Sequence, residues 1–565
     1  MRKGDLIVLL HAHLPFVKHP EHEYALEEAW LYEACLECYL PLVRMLRGLA
    51  REGIRCPFTL SVSPTLLEML ADPLLRRRLL RHLDNVTALA EREAARLTSD
   101  PVLGALALMY ARRSADLRDF HLKELHGDLL SALAETAPRA GVELITTCAT
   151  HAFLPALAPL PEAVRAQVRL GQEALRRRLG VEPRGLWLPE CGYYDGLDAL
   201  LAEAGVEYFF LESHGLLHAR PRPRYGVHYP VRTPAGPVAF ARDAEAARRV
   251  WCARSGYPGH PAYREFHRDL GFELPVEELG EAFAPGGARA PTGIKYYRVT
   301  GGSGAKEPYE PDAALAKARE DAEDFIRMLA QRVGLLGEAA RRAGAPFEPL
   351  VVAAYDAELF GHWWYEGLHW LEHLFRGLHG RRDIRAVTPG EYLRMRGGLE
   401  TAAPALSSWG EGGYGGAWVD PANDWAIPRI HRAWMSWERL ASVRLASVRL
   451  ASVRLAARTE AGGTEHKRLL AQALREALLS QGSDWPFHMK KETAAPYAER
   501  RVREHLQNFA RIEEMADAGK VDGDRLGELE ERDSLFPWLT PETIPGACRR
   551  SSSSGSSKTR PRHRR

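Results

Sequence analysis

Two acids stand among neighbours that a solvated carboxylate would not have. Glu190 closes the run Gly185-Leu186-Trp187-Leu188-Pro189-Glu190-Cys191-Gly192-Tyr193, with aromatic, proline and glycine residues in place of charged ones. Asp356 follows Leu350-Val351-Val352-Ala353-Ala354-Tyr355 and precedes Ala357-Glu358-Leu359-Phe360-Gly361-His362-Trp363-Trp364. An apolar run that ends abruptly in a polar group reads as a buried strand with its C-terminal end at a site, where α/β barrels place their chemistry. Two such acids suit glycoside cleavage. Retaining enzymes hold a nucleophile and an acid/base about 5–5.5 Å apart, and inverting ones leave a wider gap for water. Glu212 and Asp243 have similar contexts and are the reserve pair.

Imidazoles and indoles surround these acids in the sequence. His11 and His13 follow a short strand in His11-Ala12-His13-Leu14-Pro15, and His151 follows Thr146-Thr147-Cys148-Ala149-Thr150. A His-x-His pair at a strand end alternates sides, so hydrogen bonding to a sugar suits it better than zinc ligation. Zinc chemistry is the competing class, because His11, His13, His151 and Asp356 are the residue types of a metal-dependent polysaccharide deacetylase. The Glu190 motif has no task in such an enzyme. Trp363 and Trp364 follow Asp356, and Trp409 and Trp418 bracket Gly410-Glu411-Gly412-Gly413-Tyr414-Gly415-Gly416. An indole in a glycine-rich loop is free to project as a platform for sugar rings. Trp485 in Ser483-Asp484-Trp485-Pro486-Phe487 reads equally as the hydrophobic anchor of a helix start.

The elements that must position these groups are short β runs separated by amphipathic helices. The runs are Leu6–Leu10, Phe58–Val62, Leu144–Thr147, Gly185–Leu188, Tyr208–Leu211 and Val351–Ala354. This alternation predicts a parallel α/β architecture, and polar residues at several strand ends favour a closed barrel. A Leu-, Ala- and Arg-rich stretch, about 66–139, reads as a helical insertion. The glycine-rich segment 280–310, which encloses Ile294-Lys295-Tyr296-Tyr297-Arg298, is expected to face substrate. From about Ala402 to Leu539 the chain reads as helices. The expected domains are a catalytic barrel over 1–400, a helical domain over 401–545 and a disordered Ser/Arg-rich tail over 546–565. Within the second, Leu-Ala-Ser-Val-Arg occurs at 440–444, 445–449 and 450–454. A period of five matches neither helix nor heptad and reads as an expansion tolerated in a helix.

Composition excludes several other classes. The 565 residues carry a net charge of +2, and of 76 basic residues eleven are Lys and 65 Arg, spread among acids. Neither nucleic acid nor an anionic membrane is an expected partner. The N-terminal apolar run is too short for a signal peptide, and no stretch nears the ~20 residues of a membrane helix, so a cytoplasmic location is expected. Seven cysteines form no disulfide framework, and Cys35-x-x-Cys38 is expected as two packed thiols in a helix.

Taken in order, these motifs resemble glycoside hydrolase family 57, and within it the 1,4-α-glucan branching enzymes. The matches are His11–Pro15, Thr150-His151-Ala152-Phe153-Leu154-Pro155, Trp187–Tyr193, Tyr355–Trp364 and Ser483–Phe487. The resemblance implies a distorted (β/α)7 barrel with a helical insertion and a C-terminal helical domain that closes the cleft. It implies Glu190 as nucleophile and Asp356 as general acid/base, acting without cofactor or metal. Trp30, Trp409 and Trp418 match family positions that hold glucan, and Arg264 and Asp484 match substrate contacts. Phe272 stands where relatives often have Trp, and Lys491-Glu492-Thr493 where they often have Thr-Gly-Gln, so acceptor binding is expected to differ. The implied partner is α-1,4-glucan, as donor and acceptor, to a monomer or homodimer. An α-amylase or 4-α-glucanotransferase on the same scaffold is the alternative.

Overall fold

The computed structural model describes residues 3–252, 254–301, 306–451 and 460–543. Nine strands form one sheet: β1 (Gly4–Ala12), β2 (Thr59–Val62), β3 (Glu143–Thr146), β4 (Gly185–Trp187), β5 (Tyr208–Leu211), β6 (Val231–Arg232), β7 (Val238–Ala241), β8 (Leu350–Asp356) and β9 (Ile384–Ala386). Seven of them run parallel in the order β7-β5-β4-β3-β2-β1-β8. The short β6 lies antiparallel on β7, and β9 extends the edge of β1. Among the described residues no ladder joins β7 to β8. The two residues after β7 bridge that seam instead: the Asp243 amide donates to the Val352 carbonyl at 2.8 Å, and Arg242 Nη2 to that of Ala354 at 3.2 Å. The result is the distorted barrel expected, with seven parallel strands and one imperfect seam.

Alternation along the strands separates two cores. Ile7 and Leu9 of β1 pack inside with Trp187, Phe210, Phe240, Val352 and Ala354, whereas Leu6, Val8 and Leu10 face the surrounding helices. A barrel strand is buried on both sides, which is why its sequence is apolar throughout and not alternating. Between β2 and β3 come helices Pro64–Ala71, Pro73–Arg96, Pro101–Asp119 and Leu129–Ala140. Three of them start on a capping side chain followed by proline: Ser63-Pro64, Asp72-Pro73 and Asp100-Pro101. The cap accepts a free amide of the first turn, and the ring occupies a position that needs no donor.

Several expectations need correction. β6, β7 and β9 lie outside the expected β runs: β6 has only two residues, β7 is four residues rich in alanine with little β signal, and Arg385 interrupts β9. Regular helices resume only at Ile427, so 402–426 is an irregular loop over the barrel mouth and not helix. The segment 280–310 is partly packed inward where it is described: Lys295 and Tyr296 are buried, and Asp269 accepts from the Thr292 and Gly293 amides at 2.8 and 2.9 Å. Cys35 and Cys38 are buried free thiols, as expected.

The later helices are Ile427–Ala451, Glu460–Leu479, Asp484–Lys491, Ala495–Ala518 and Gly523–Arg532. The first two repeat copies lie on Ile427–Ala451, while 452–459 and the tail 546–565 fall outside the described residues. Contacts tie these helices to the barrel. The Ser483 amide donates to the His151 carbonyl at 3.1 Å, Thr150 Oγ1 to that of Leu478 at 2.7 Å, and Lys18 Nζ pairs with Asp72 at 3.0 Å while donating to Ser534 at 2.8 Å. Trp485 is the buried anchor of its helix, its indole donating to the Leu479 carbonyl at 2.8 Å. No helix among the described residues is long and apolar enough to cross a membrane.

Candidate active site

Glu190 leaves β4 through a backbone that few residues adopt. Its φ is 59° and that of Cys191 is 52°, both left-handed. Such positions cost about 1–3 kcal/mol each and persist where surrounding structure over-determines them, commonly at functional sites. Here the turn delivers the carboxyl to two donors: Trp409 Nε1 reaches Oε2 at 2.6 Å and Ser483 Oγ reaches Oε1 at 2.8 Å. The Trp409 amide also donates to the Glu190 carbonyl at 2.8 Å, which clips the 402–426 loop onto the barrel. The loop's glycines permit this close packing. A Cβ on Gly415 would come within 2.8 Å of the Phe153 ring, and its φ of 80° is left-handed.

Asp356 ends β8 in register with His11 of β1, so the two strands bring an acid and an imidazole to one level of the mouth. Two residues on, Glu358 Oε1 accepts from the His13 amide at 3.1 Å and from the Tyr39 hydroxyl. No hydrogen bond is donated to the Asp356 carboxyl among the described residues.

The three predicted histidines stack together, His11 on His151 at 4.8 Å between centroids and His13 on His151 at 3.9 Å. His11 Nε2 lies 2.9 Å from His151 Nε2, His11 Nδ1 3.1 Å from Ser61 Oγ, and His151 Nδ1 2.8 Å from Ser483 Oγ. His151 too has a left-handed φ, of 54°. Burial holds His11 and His151 well below the usual imidazole range, so both rings are neutral. For His13, burial opposes the charge, but Asp484 at 3.1 Å, together with Glu190 and Glu358, more than offsets it and raises the pKa. The cationic form of His13 therefore faces Asp484, which it holds below the carboxylate range against the opposing effect of burial.

Besides Asp484, three carboxyls share this mouth. Burial pushes Glu190 up to about 7 against the opposing bonds from Ser483 and Trp409. Burial, then Glu358 and Glu190, push Asp356 up to about 8, and burial takes Glu358 to about 7. The three cannot all be ionised at neutral pH, because like charges in a poorly solvated cleft raise one another's pKa.

The remaining predicted residues divide. Trp30 stacks on His488 at 5.4 Å, beside Asp484 on the same short helix. Trp418 is buried, stacked on Phe153 at 5.1 Å and on Phe487 at 6.4 Å, so in this structure it supports the loop with its ring covered. Arg264 is turned inward. Its guanidinium pairs with Glu37 at 2.9 Å and lies 3.8 Å from the Tyr365 ring centre, away from solvent. Phe272 is half exposed on Leu270–Glu273. The reserve acids have structural partners: Glu212 takes Arg242 at 2.7 Å, and Asp243 caps the helix Ala244–Trp251.

Four mouth residues were not singled out from the sequence. Glu358 and Ser483 stand inside motifs that were read for their neighbours. Arg242 lies 4.9 Å from the Trp409 ring centre and follows β7, the unread strand. Tyr39 sits on an irregular helical turn with no sequence signature. His11, His13 and His151 also place ring nitrogens within 4.8 Å of one another, near enough to share an ion, as do Glu476, His505 and Asp533. In the first group one proton can bridge the His11–His151 contact and Asp484 engages His13 Nε2, while His13 Nδ1 is buried with no partner among the described residues.

A parallel barrel with buried acids and an indole at its mouth defines a glycoside-active enzyme. The chain belongs to glycosyl hydrolase family 57: that family's model matches residues 7–270, and a 1,4-α-glucan branching enzyme C-terminal model matches 445–543. It is 32% identical to a probable 1,4-α-glucan branching enzyme of Mycobacterium tuberculosis, over 96% of this chain and 98% of the relative. It is 30% identical to a 1,4-α-glucan branching enzyme of Thermococcus kodakarensis, over 94% and 77%. Among solved structures it resembles the α-amylase AmyC of Thermotoga maritima (TM-score 0.86, 36% identity, 96% of this chain and 99% of that one). It also resembles the branching enzyme of Pyrococcus horikoshii (TM-score 0.81, 31% identity, 96% and 97%).

Proposed function

We propose that this chain is a 1,4-α-glucan branching enzyme working by retaining double displacement, with Glu190 as nucleophile and Asp356 as general acid/base. One observation carries the assignment of roles. Both oxygens of Glu190 accept a hydrogen bond from a neutral donor, whereas none is donated to Asp356, which instead faces two other carboxyls. Donors stabilise the anion and nearby anions stabilise the acid, so the proton belongs on Asp356.

In the first step Glu190 attacks the anomeric carbon while Asp356 gives its proton to the leaving glycosidic oxygen. In the second, Asp356 takes the proton of an incoming 6-hydroxyl, which displaces Glu190 and leaves an α-1,6 branch. Branching requires that water be kept from the glycosyl-enzyme while a glucan acceptor enters. The Trp409 loop and the helices of the 401–545 unit, reaching the mouth through Ser483 and Asp484, are the elements we assign to that exclusion. The match of residues 445–543 to the branching-enzyme C-terminal model supports transfer over hydrolysis.

A hydrolytic reading has its own support in the likeness to AmyC. Incubating amylose with wild type, Glu190→Gln and Asp356→Asn and counting α-1,6 linkages by NMR decides between them. New branches with wild type alone are expected. Reducing ends or longer linear chains without branches would assign the chain to the amylases or glucanotransferases.

A further inference from the structure

Glu358 is a buried carboxyl in the mouth that neither catalytic role uses. It lies on the 3₁₀ turn Ala357–Leu359 directly after Asp356. That turn is locked onto the π-helical turn Cys35–Tyr39. Cys38 Sγ donates to the Ala357 carbonyl at 3.1 Å, and Gly361, at a φ of 107°, approaches so closely that a Cβ there would stand 2.0 Å from the Glu37 carbonyl. π turns are rare and occur mostly at functional sites. This one aims the Tyr39 hydroxyl at Glu358 Oε1, while the His13 amide reaches the same oxygen at 3.1 Å. Two donors therefore fix the Glu358 carboxyl in the mouth and favour its anion against the burial that raises it to about 7.

We propose that Glu358 is a positioning residue for the acid: pinned by Tyr39 and the His13 amide, its carboxylate keeps the proton on Asp356. The inference rests on Asp356 being the acid. Glu190 and Glu358 each have two donors and Asp356 has none, so the shared proton settles where no donor favours the anion. After burial, Glu358 acts on Asp356 ahead of Glu190. Through the cycle the proton passes from Asp356 to the leaving oxygen and returns from the acceptor hydroxyl, and Glu358 neither gains nor loses one.

The test reads the Asp356 carboxyl directly by infrared titration, with the Asp356→Asn spectrum identifying its band, beside pH profiles of kcat/KM on amylose. Glu358→Gln should lower the midpoint of that band by about one unit. It should move the basic limb of the profile equally, with roughly tenfold loss at pH 9 and little at pH 6. Tyr39→Phe should move both the same way by less, and carries the test should Glu358→Gln fail to fold. Glu358→Asp, which retains the charge, should recover most of the shift. An unmoved midpoint in folded variants, or a loss uniform across pH, overturns the proposal. A midpoint that moves in a protein that makes no branches supports the role of Glu358 and refutes the branching assignment alone.

Discussion

His11 on β1 and His151 in the loop after β3 aim Nε2 at Nε2 across 2.9 Å, so one ring must donate to the other. Hydrogen-bond logic decides which. Ionised Glu190 accepts from the Ser483 hydroxyl, so His151 Nδ1 must donate to Ser483, and His151 Nε2 is then the acceptor from His11. His11 Nδ1 in turn accepts from Ser61. A directional chain of two serines and two neutral imidazoles thus ends on the acid assigned as nucleophile. Each link fixes the next tautomer.

Ser483→Ala removes the last donor in that chain. A hydrogen bond to a charged group is worth about 1.5–3 kcal/mol, and one pKa unit corresponds to about 1.4 kcal/mol, so Glu190 should titrate about one unit higher. The acid limb of kcat/KM against pH should move upward while the basic limb stays. A uniform loss with unmoved limbs would show that Ser483 only packs.

For the wild type the two limbs are set by the acids themselves. Activity should rise as Glu190 ionises at about 7 and fall as Asp356 loses its proton at about 8. The optimum should lie between them, with macroscopic values belonging to the pair. A plateau extending down to pH 5 would contradict a buried nucleophile. Asp356→Asn should reduce turnover about 10²–10⁴-fold, the usual contribution of a general acid.

Trp409 combines a donor with a cover. Trp409→Phe retains the ring and loses the 2.6 Å bond to Glu190, so it should shift the acid limb as Ser483→Ala does. Trp409→Ala also opens the mouth to water. Assayed on amylose, it should raise reducing ends relative to new α-1,6 linkages, a change that Trp409→Phe should not produce.

Much of this arrangement was legible because burial leaves a mark on sequence. Glu190 and Asp356 end apolar runs, and His11, His13 and His151 follow strands, so the barrel's inner layer and its mouth can be read together. Trp409 stood out as an indole beside a glycine-rich loop, and Asp484 came through the resemblance. What was missed had a weak local signal. β7 is Val-Ala-Phe-Ala, too short to show a period, and with it went Arg242. For Arg264, sequence cannot tell a guanidinium that meets substrate from one that neutralises a buried acid, and here it pairs with Glu37. Lys295 and Tyr296 were given a substrate role on composition, yet their loop is held by one buried acid, Asp269, distant in no pattern that periodicity detects.

The histidine cluster offers a direct test against metal chemistry. Elemental analysis of the purified protein should find no stoichiometric zinc, and branching should survive chelation, because His13 is engaged by Asp484 and the other two rings share a proton. One zinc per chain with activity lost on chelation would make His11, His13 and His151 ligands.

The later helices depend on a buried ionic network. Arg501 pairs with Asp533 at 3.1 Å, both essentially inaccessible, and His505 Nδ1 donates to Glu476 at 2.7 Å. Burial keeps His505 neutral, at about 3, and raises Glu476 well above the carboxylate range, so Arg501 and Arg532 are the cations that balance Asp533. Removing one partner of a buried pair leaves an unpaired charge, which costs about 3–5 kcal/mol. Arg501→Met should lie at the lower end of that range, because Arg532 still reaches Asp533 at 3.0 Å. Urea unfolding should show the loss. Adding Asp533→Asn should recover much of it, since the double variant buries no orphan anion. Equal destabilisation of the single and double variants would mean that Arg501 acts by packing its stem, and the network would then be incidental to how these helices hold Ser483 and Asp484 at the mouth.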